Sequence, residues 1–351
     1  MPSEGGHTPL DPDAPVTPGA PGADAAAADA RSPRVSIVMP VCNGERFLAE
    51  TLASVQAQTM TDYELLLIDD GSTDGSLAIA EAHAAHDPRV RILQLDHGGI
   101  VAARNRALEV ARAPLIALWD GDDLCVPERL AVQLAFLDAN PDVGLLSAYA
   151  WHIGESGRRA GVAEFGPVTR EEFLALRASD APMFAVASSV VFRAGEARAA
   201  GGFRARMAPA EDADLWTRMS DRTVALILPR KLTLYRVHAA SSSTTRFFRQ
   251  MALTGLIAEN AARRRAGRPE LAPEEWDRLL RARPLGQRLR RARAWHSRRL
   301  YRIAGGMLAD GRPAGALYLA GAAALAPVMV VRRLRRQRRL RPQVAPRLRR
   351  T

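Results

Sequence analysis

Two short stretches place carboxylates directly after apolar runs: "ELLLIDDGSTDGS" delivers Asp69 and Asp70, and "PLIALWDGDDLCVPERL" delivers Asp120, Asp122 and Asp123. Acids this close raise one another's pKa and repel unless a cation collects them. If both runs are strands that open on one crevice, all five converge there. Oxygen-rich, sulfur-free ligation points to Mn²⁺ or Mg²⁺, which keep waters and share their coordination with phosphate oxygens. The chain has no G-x-G and no G-x-x-x-x-G-K-[ST] loop, so a nucleotide cradled by glycines is disfavoured. The competing explanation is turn and cap chemistry, which suits Asp74 as an N-cap better than it suits the two clusters.

Further along, "AEDADLWTRM" sets Glu211 and Asp212 at the head of a helix carrying Leu215, Trp216 and Met219. An N-cap is the plain alternative for Asp212. "LYRVHAASSS" contributes Arg236 and His238; a lone histidine is otherwise an ordinary polar residue. Trp119 and Trp151 are most simply packing residues.

These side chains need elements to hold them. "RVSIVMP", "YELLLID", "RVRILQL" and "PLIALWD" read as strands, and "DVGLLSAYA" as a fifth. Helical stretches separate them: Glu45 to Gln58, about Ser76 to His86, about Ile100 to Ala111, and Pro127 to Leu137. Strands joined by helix-length crossovers imply an α/β fold with a mostly parallel sheet, and wholly apolar strands imply cover on both faces. In such sheets ligands sit beyond the carboxyl ends of the strands. Beyond residue 150, "MFAVASSVVFR" and "TVALILPRKLTLYRVH" read as further strands with an acid-headed helix between them, and after about Ser243 the chain turns helical and arginine-rich.

The motifs "VSIVMPVCNGERFLAETLASVQAQT", "ELLLIDDGSTDGS", "HGGIVAARNRAL", "LIALWDGDD" and "AEDADLWTRM" occur in the order seen in family 2 glycosyltransferases, and over 34–240 the chain resembles that family. The resemblance implies a GT-A (Rossmann-like) fold. It also implies an inverting transfer from a nucleotide-diphosphate sugar, with a divalent metal, to a saccharide or lipid-linked acceptor. By position it implies that Pro40, Val41 and Cys42 contact the nucleobase and ribose, that Asp70 bonds the base edge with Asp69 beside it, and that Arg104 touches the nucleotide. Asp120 and Asp122 fill the D-x-D motif, with Asp123 as a substitute metal ligand. Asp212 matches the catalytic base with Glu211 as runner-up, and Arg236 and His238 approach the phosphates or the metal. Cys42 departs from the pattern, because an aromatic usually packs there, and this bears on the choice of base. No Q-x-x-R-W signature of processive synthases is present, which favours single-sugar addition. The rival readings are a non-catalytic nucleotide-sugar or lipid-binding protein and a nucleotidyltransferase. The latter would show a glycine- and lysine- or arginine-rich loop after the first strand, where "PVCNGERF" has only Gly44 and Arg46.

Charge divides the chain. Residues 1–240 carry 22 Lys/Arg against 32 Asp/Glu, whereas 241–351 carry 27 against 6, so the two parts face different partners. The expected organisation is a disordered tail (1–33), the α/β domain (34–150 nucleotide-binding, 151–240 acceptor), a helical extension (241–331) and a basic tail (332–351). The uncharged run 314–331 is interrupted by Pro327 and reads as a packed hairpin, and ten arginines follow between Arg332 and Arg350. That cluster suits anionic lipid; a solvated tail is the alternative, and nucleic acid is not expected, since no aromatics interleave the run. Two cysteines and no signal-peptide pattern suit a reducing, cytoplasmic setting, peripheral on the inner face of the plasma membrane.

Overall fold

Runs such as "VSIVMPV" lack any polar alternation, and that composition demands cover on both faces. In a computed structural model, which describes residues 32–238 and 241–340, they have it. Strands β1 (Val35–Val41) and β2 (Tyr63–Asp69) are buried throughout, and α1 (Glu45–Gln56) between them turns Phe47, Leu48, Leu52 and Val55 inward. Each such side chain, where fully buried, contributes roughly 1.5–3 kcal/mol. Next come α2 (Ser76–Ala84), β3 (Val90–Gln94), α3 (Gly99–Val110) and β4 (Leu115–Leu118).

β1 pairs in parallel with β2 on one side and β4 on the other, and β2 pairs in parallel with β3. The register sets Val41 opposite Asp69 and Val38 opposite Leu118. Asp70 extends the first pairing, donating its N–H to the Val41 carbonyl (2.8 Å), and Trp119 extends the second by donating to Val38 (3.0 Å). Both acid-ended runs therefore leave the sheet at one edge, on either side of Val41.

The chain continues through β5 (Leu124–Cys125), α4 (Arg129–Ala139), β6 (Val143–Ile153), β7 (Arg159–Ala163), α5 (Arg170–Ala178), β8 (Val191–Arg193), α6 (Ala194–Ala199), α7 (Glu211–Ser220) and β9 (Val224–Arg236). The sheet order is β3-β2-β1-β4-β8-β6-β9-β5, with β7 on β6. It is mixed: β6 and β9 are parallel, whereas β8, β7 and β5 pair antiparallel to their neighbours. Only the end of "MFAVASSVVFR" is strand, because Ala187–Ser189 make a tight 3₁₀ turn that sends the Ser188 and Ser189 hydroxyls into buried hydrogen bonds.

Beyond β9 the chain is helical: α8 (Ser242–Thr245), α9 (Phe247–Arg265), α10 (Pro273–Ala282), α11 (Leu285–Ala309), α12 (Gly315–Leu325) and α13 (Pro327–Leu340). Leu253, Leu256, Ile257, Trp276 and Leu280 form an apolar cluster with Met207, Ala210 and Ala213, so α9 and α10 buttress the start of α7. The uncharged run does break at Pro327, which cannot donate its own backbone bond, and α12 folds onto α11 through Ser297 Oγ donating to the Ala322 carbonyl (2.7 Å). Among the described residues no helix is long and apolar enough to cross a membrane. Residues 1–31 of the expected tail, 239–240, and 341–351 of the expected basic tail lie outside the described residues.

Candidate active site

One flank of the edge is built from the loops after β1 and β2. Asn43 adopts a left-handed backbone (φ 54°). Its N–H donates to Ser72 Oγ (3.0 Å), and its side-chain oxygen accepts from Thr73 N (2.8 Å). Gly44 N donates to Ser76 Oγ (2.8 Å). The two loops are thereby locked together, and Cys42 is held exposed above Asp69 and Asp70. Asp70 is buried and its Oδ2 accepts from the Gly99 N–H (2.9 Å) at the start of α3. The Oδ1 atoms of Asp69 and Asp70 are both buried and meet no protein donor. Unpartnered buried carboxylate oxygens are rare, and a ligand that brings its own N–H groups is the simplest reason to keep them. Asp74 has a local task, accepting from Ser76 N (3.0 Å) and Glu45 N (3.1 Å).

The other flank holds the D-x-D run. Gly121 at its centre lies against β1, where an added Cβ would meet Val41 Cγ2 at 3.1 Å, and Thr51 Oγ1 of α1 donates to its carbonyl (3.1 Å). Asp120 accepts from Arg104 Nη2 (3.0 Å) and Ser188 Oγ (3.0 Å). Asp122 is partly exposed and its Oδ2 lies 2.8 Å from His238 Nε2, whose ring packs on Phe47. Asp123 faces inward, fully buried, with its oxygens taken up by the Arg236 N–H and Ser188 Oγ. Burial and then the charges of Asp122 and Asp120 hold its carboxyl well above the usual carboxylate range. Asp123 is thus enclosed and bonded to the protein through both oxygens, whereas Asp122 beside it is partly exposed.

Arg236 is likewise internal, 1% exposed. Its guanidinium donates to the Asp122, Gly154 and Glu155 carbonyls and to Glu50 Oε2 (2.8 Å), and it lies over the Phe47 ring. It shapes the loop that carries Asp122 through four of its five guanidinium N–H groups. On the D-x-D flank the Ser188 hydroxyl lies between Asp120 and Asp123, Arg104 reaches Asp120 and the Arg236 N–H reaches Asp123, whereas Asp70 is held from α3 by the Gly99 N–H.

Glu211 and Asp212 are the first two residues of α7 and Ala210 is the cap residue, so neither acid caps the helix. Arg104 joins this helix to the D-x-D run: it is 4% exposed, and its Nη1 donates to Glu211 Oε1 (2.8 Å) while Nη2 holds Asp120. Its place between two acids differs from the direct nucleotide contact read for it. Among the described residues Asp212 Oδ1 accepts the neighbouring Ala213 N–H (2.7 Å) and no other donor. Burial, then the Glu211 charge, push Asp212 up to about 7, against the pull of Arg104. A carboxyl near 7 can accept and release a proton at neutral pH.

Pro40 and Val41 are buried at the end of β1. Sequence reasoning passed over Ser188, whose hydroxyl serves both Asp120 and Asp123, and Glu50, the partner of Arg236. No local signal marks either. His97 was visible in "HGGIVAARNRAL" without a role; its Nδ1 lies 3.7 Å from Cys42 Sγ.

Residues 36–196 match the family model described as glycosyl transferase family 2. EpsE of Bacillus subtilis, a glycosyltransferase by name, is 35% identical over 53% of this chain and 66% of its own length. The chondroitin synthase of Escherichia coli is 37% identical over 34% of this chain but 17% of its own length, so the chain spans only part of the curated relatives it matches. Among solved structures, S. aureus TarS 1–349 with UDP-GlcNAc superposes with a TM-score of 0.52 at 17% identity, covering 86% of this chain and 92% of TarS 1–349. The mannosyltransferase PcManGT of Pyrobaculum calidifontis, in complex with GDP-Man and Mn²⁺, superposes with a TM-score of 0.50 at 21% identity, covering 88% and 81%. These two likenesses concern the fold.

Proposed function

The chain belongs to glycosyltransferase family 2, and on that premise we propose that it moves one sugar from a nucleotide-diphosphate donor to an acceptor hydroxyl, with inversion, in polysaccharide or glycolipid assembly. The observation that carries this reading is Arg104, which ties Asp120 of the D-x-D run to Glu211 beside Asp212. It holds a donor-binding element and a candidate base in one frame.

In this reading the free Oδ1 atoms of Asp69 and Asp70 accept N–H groups of the nucleobase, with Pro40, Val41 and Cys42 under it. Asp122 and His238, with Asp120 alongside, fit a hard divalent cation of the Mn²⁺ or Mg²⁺ class, since such ions take one or two carboxylates and complete their shell with phosphate oxygens and water. When bound, the ion would neutralise charge growing on the leaving diphosphate. Asp212 takes the acceptor hydroxyl proton as the oxygen attacks the anomeric carbon; the new C–O bond forms as the bond to the diphosphate breaks on the opposite face. Glu211 keeps Asp212 basic, and Arg104 holds Glu211 in place. PcManGT carries Mn²⁺ with its GDP-Man, and TarS binds UDP-GlcNAc, which supports a donor of this class. The acceptor is a saccharide or lipid-linked saccharide, met at an anionic membrane surface on the cytoplasmic side that the arginine-rich helices would touch.

The test is a panel of sugar nucleotides with Mn²⁺, read as nucleoside diphosphate release by the full chain. Asp122→Ala should abolish turnover with the fold intact. Asp212→Asn should lower kcat by roughly 10²–10⁴-fold with little change in KM for the donor. Full activity in either variant would end this assignment.

A further inference from the structure

Cys42, Asp70 and His97 are a second kind of ligand set on the same edge. One donor atom from each lies within 4.8 Å of the other two, and among the described residues no other trio of Cys, His and acid residues is as close. The donors are a thiol sulfur, an imidazole nitrogen and a carboxylate oxygen, a mixture typical of zinc-class ions with three protein ligands and an open fourth position. Tetrahedral bonds of ~2.3 Å to sulfur and ~2.0 Å to nitrogen separate those two atoms by about 3.5 Å. Here Cys42 Sγ and His97 Nδ1 are 3.7 Å apart, and Nδ1 lies 4.0 Å from Asp70 Oδ2. Asp70 is 4% exposed, and its Oδ1 has no protein partner. His97 Nδ1 now contacts the Asp70 carbonyl (3.0 Å), but the side chain is 73% exposed, so the ring is free to turn toward an ion.

We propose that Cys42, Asp70 and His97 bind a thiophilic divalent cation of the zinc class, at a site separate from the hard-ion position at Asp122 and His238. Binding converts the Cys42 thiol to a thiolate and releases its proton to solvent, so affinity rises with pH. Burial and the charges of Asp70, Asp69 and Asp74 push the thiol up, which makes it a neutral group until an ion arrives. One consequence rests on the proposed function: an ion on Cys42 and Asp70 occupies the floor assigned to the nucleobase, so the ion and the nucleotide exclude each other.

Co²⁺ is the probe, titrated into the full reduced chain and into the Asp122→Ala variant, which lacks the hard-ion ligand. The expected result is a thiolate-to-cobalt charge-transfer band in both, displaced by Zn²⁺. Cys42→Ser should remove the band, and His97→Ala, which deletes a direct ligand, should weaken binding by more than the ~10–100-fold typical of losing an outer-shell partner. Both side chains are exposed, so both variants should fold, as circular dichroism will verify. Absence of the band in the parent chain, or its survival in Cys42→Ser, overturns the site. Added UDP or GDP should displace the cobalt. A band that persists at saturating nucleotide overturns the competition and the base-pocket assignment while leaving the metal site standing.

Discussion

At the scale of single residues, the site works by pairing charges unequally. Glu211 and Asp212 are neighbours, yet Arg104 bonds only the first, and Asp212 is left with its pKa pushed up to about 7. A base must be deprotonated to act, so donor kcat/KM should rise with pH and level off above about 7. Glu211→Gln removes the like charge and leaves Arg104 nearer to a lone Asp212. Both changes favour the carboxylate, so the rising limb should shift to lower pH. A pH profile of the variant that does not move would remove Asp212 from the role of base. Of these residues the acids were legible in the sequence because they interrupt apolar runs. Their division of labour was not, since Asp122 and Asp123 are adjacent in the chain and differ only in which way the turn points them.

At the scale of elements, a chain of contacts runs from the helical extension into the loop that bears Asp122. Asp310, at the end of α11, accepts from Glu155 N (3.2 Å), Ser156 N (3.1 Å) and Ser156 Oγ (2.8 Å). Gly154 lies so close that an added Cβ would collide with the Asp310 carboxylate. The Gly154 and Glu155 carbonyls accept from Arg236, which in turn holds the Asp122 carbonyl and Asp123. Hydrogen bonds to a charged group are worth about 1.5–3 kcal/mol, and partial exposure reduces this to roughly 1 kcal/mol here. Asp310→Ala should therefore lower the melting temperature by about 2 °C, measured by differential scanning fluorimetry. No change would mean that the extension does not brace the site. The four helices between β1 and β6 were legible within two or three residues because each buries residues at helical spacing, whereas α5 and α6 had no reading in the sequence. Of the antiparallel partners, β8 was read only as the end of a longer strand and β5 was not read, because three and two residues are too short to show a period.

At the scale of the whole molecule, charge is segregated. Between Leu285 and Leu340 the sequence has 14 arginines and a single acid, Asp310. Leu285, Leu289, Leu317, Val328, Val331 and Leu334 stand exposed on these same helices. Basic helices with exposed apolar side chains suit an anionic lipid surface, each arginine near it contributing about 1 kcal/mol at low salt. The full chain should co-sediment with vesicles containing phosphatidylglycerol and not with neutral phosphatidylcholine. Binding should fall as salt shortens the ~10 Å screening length of 0.1 M buffer. Equal binding to both vesicle types would assign the arginines to another task.

The sequence by itself determined the parallel start of the sheet, the order of its helices and the two acid-ended strands, because burial imposes periodicity and buried strands tolerate acids only at their ends. Only the tertiary structure decided which acids face the cleft. Arg104, Ser188 and Arg236 meet them across separations of 16 to 113 residues in the chain, and the direction of a side chain in a turn follows from partners that no local pattern records.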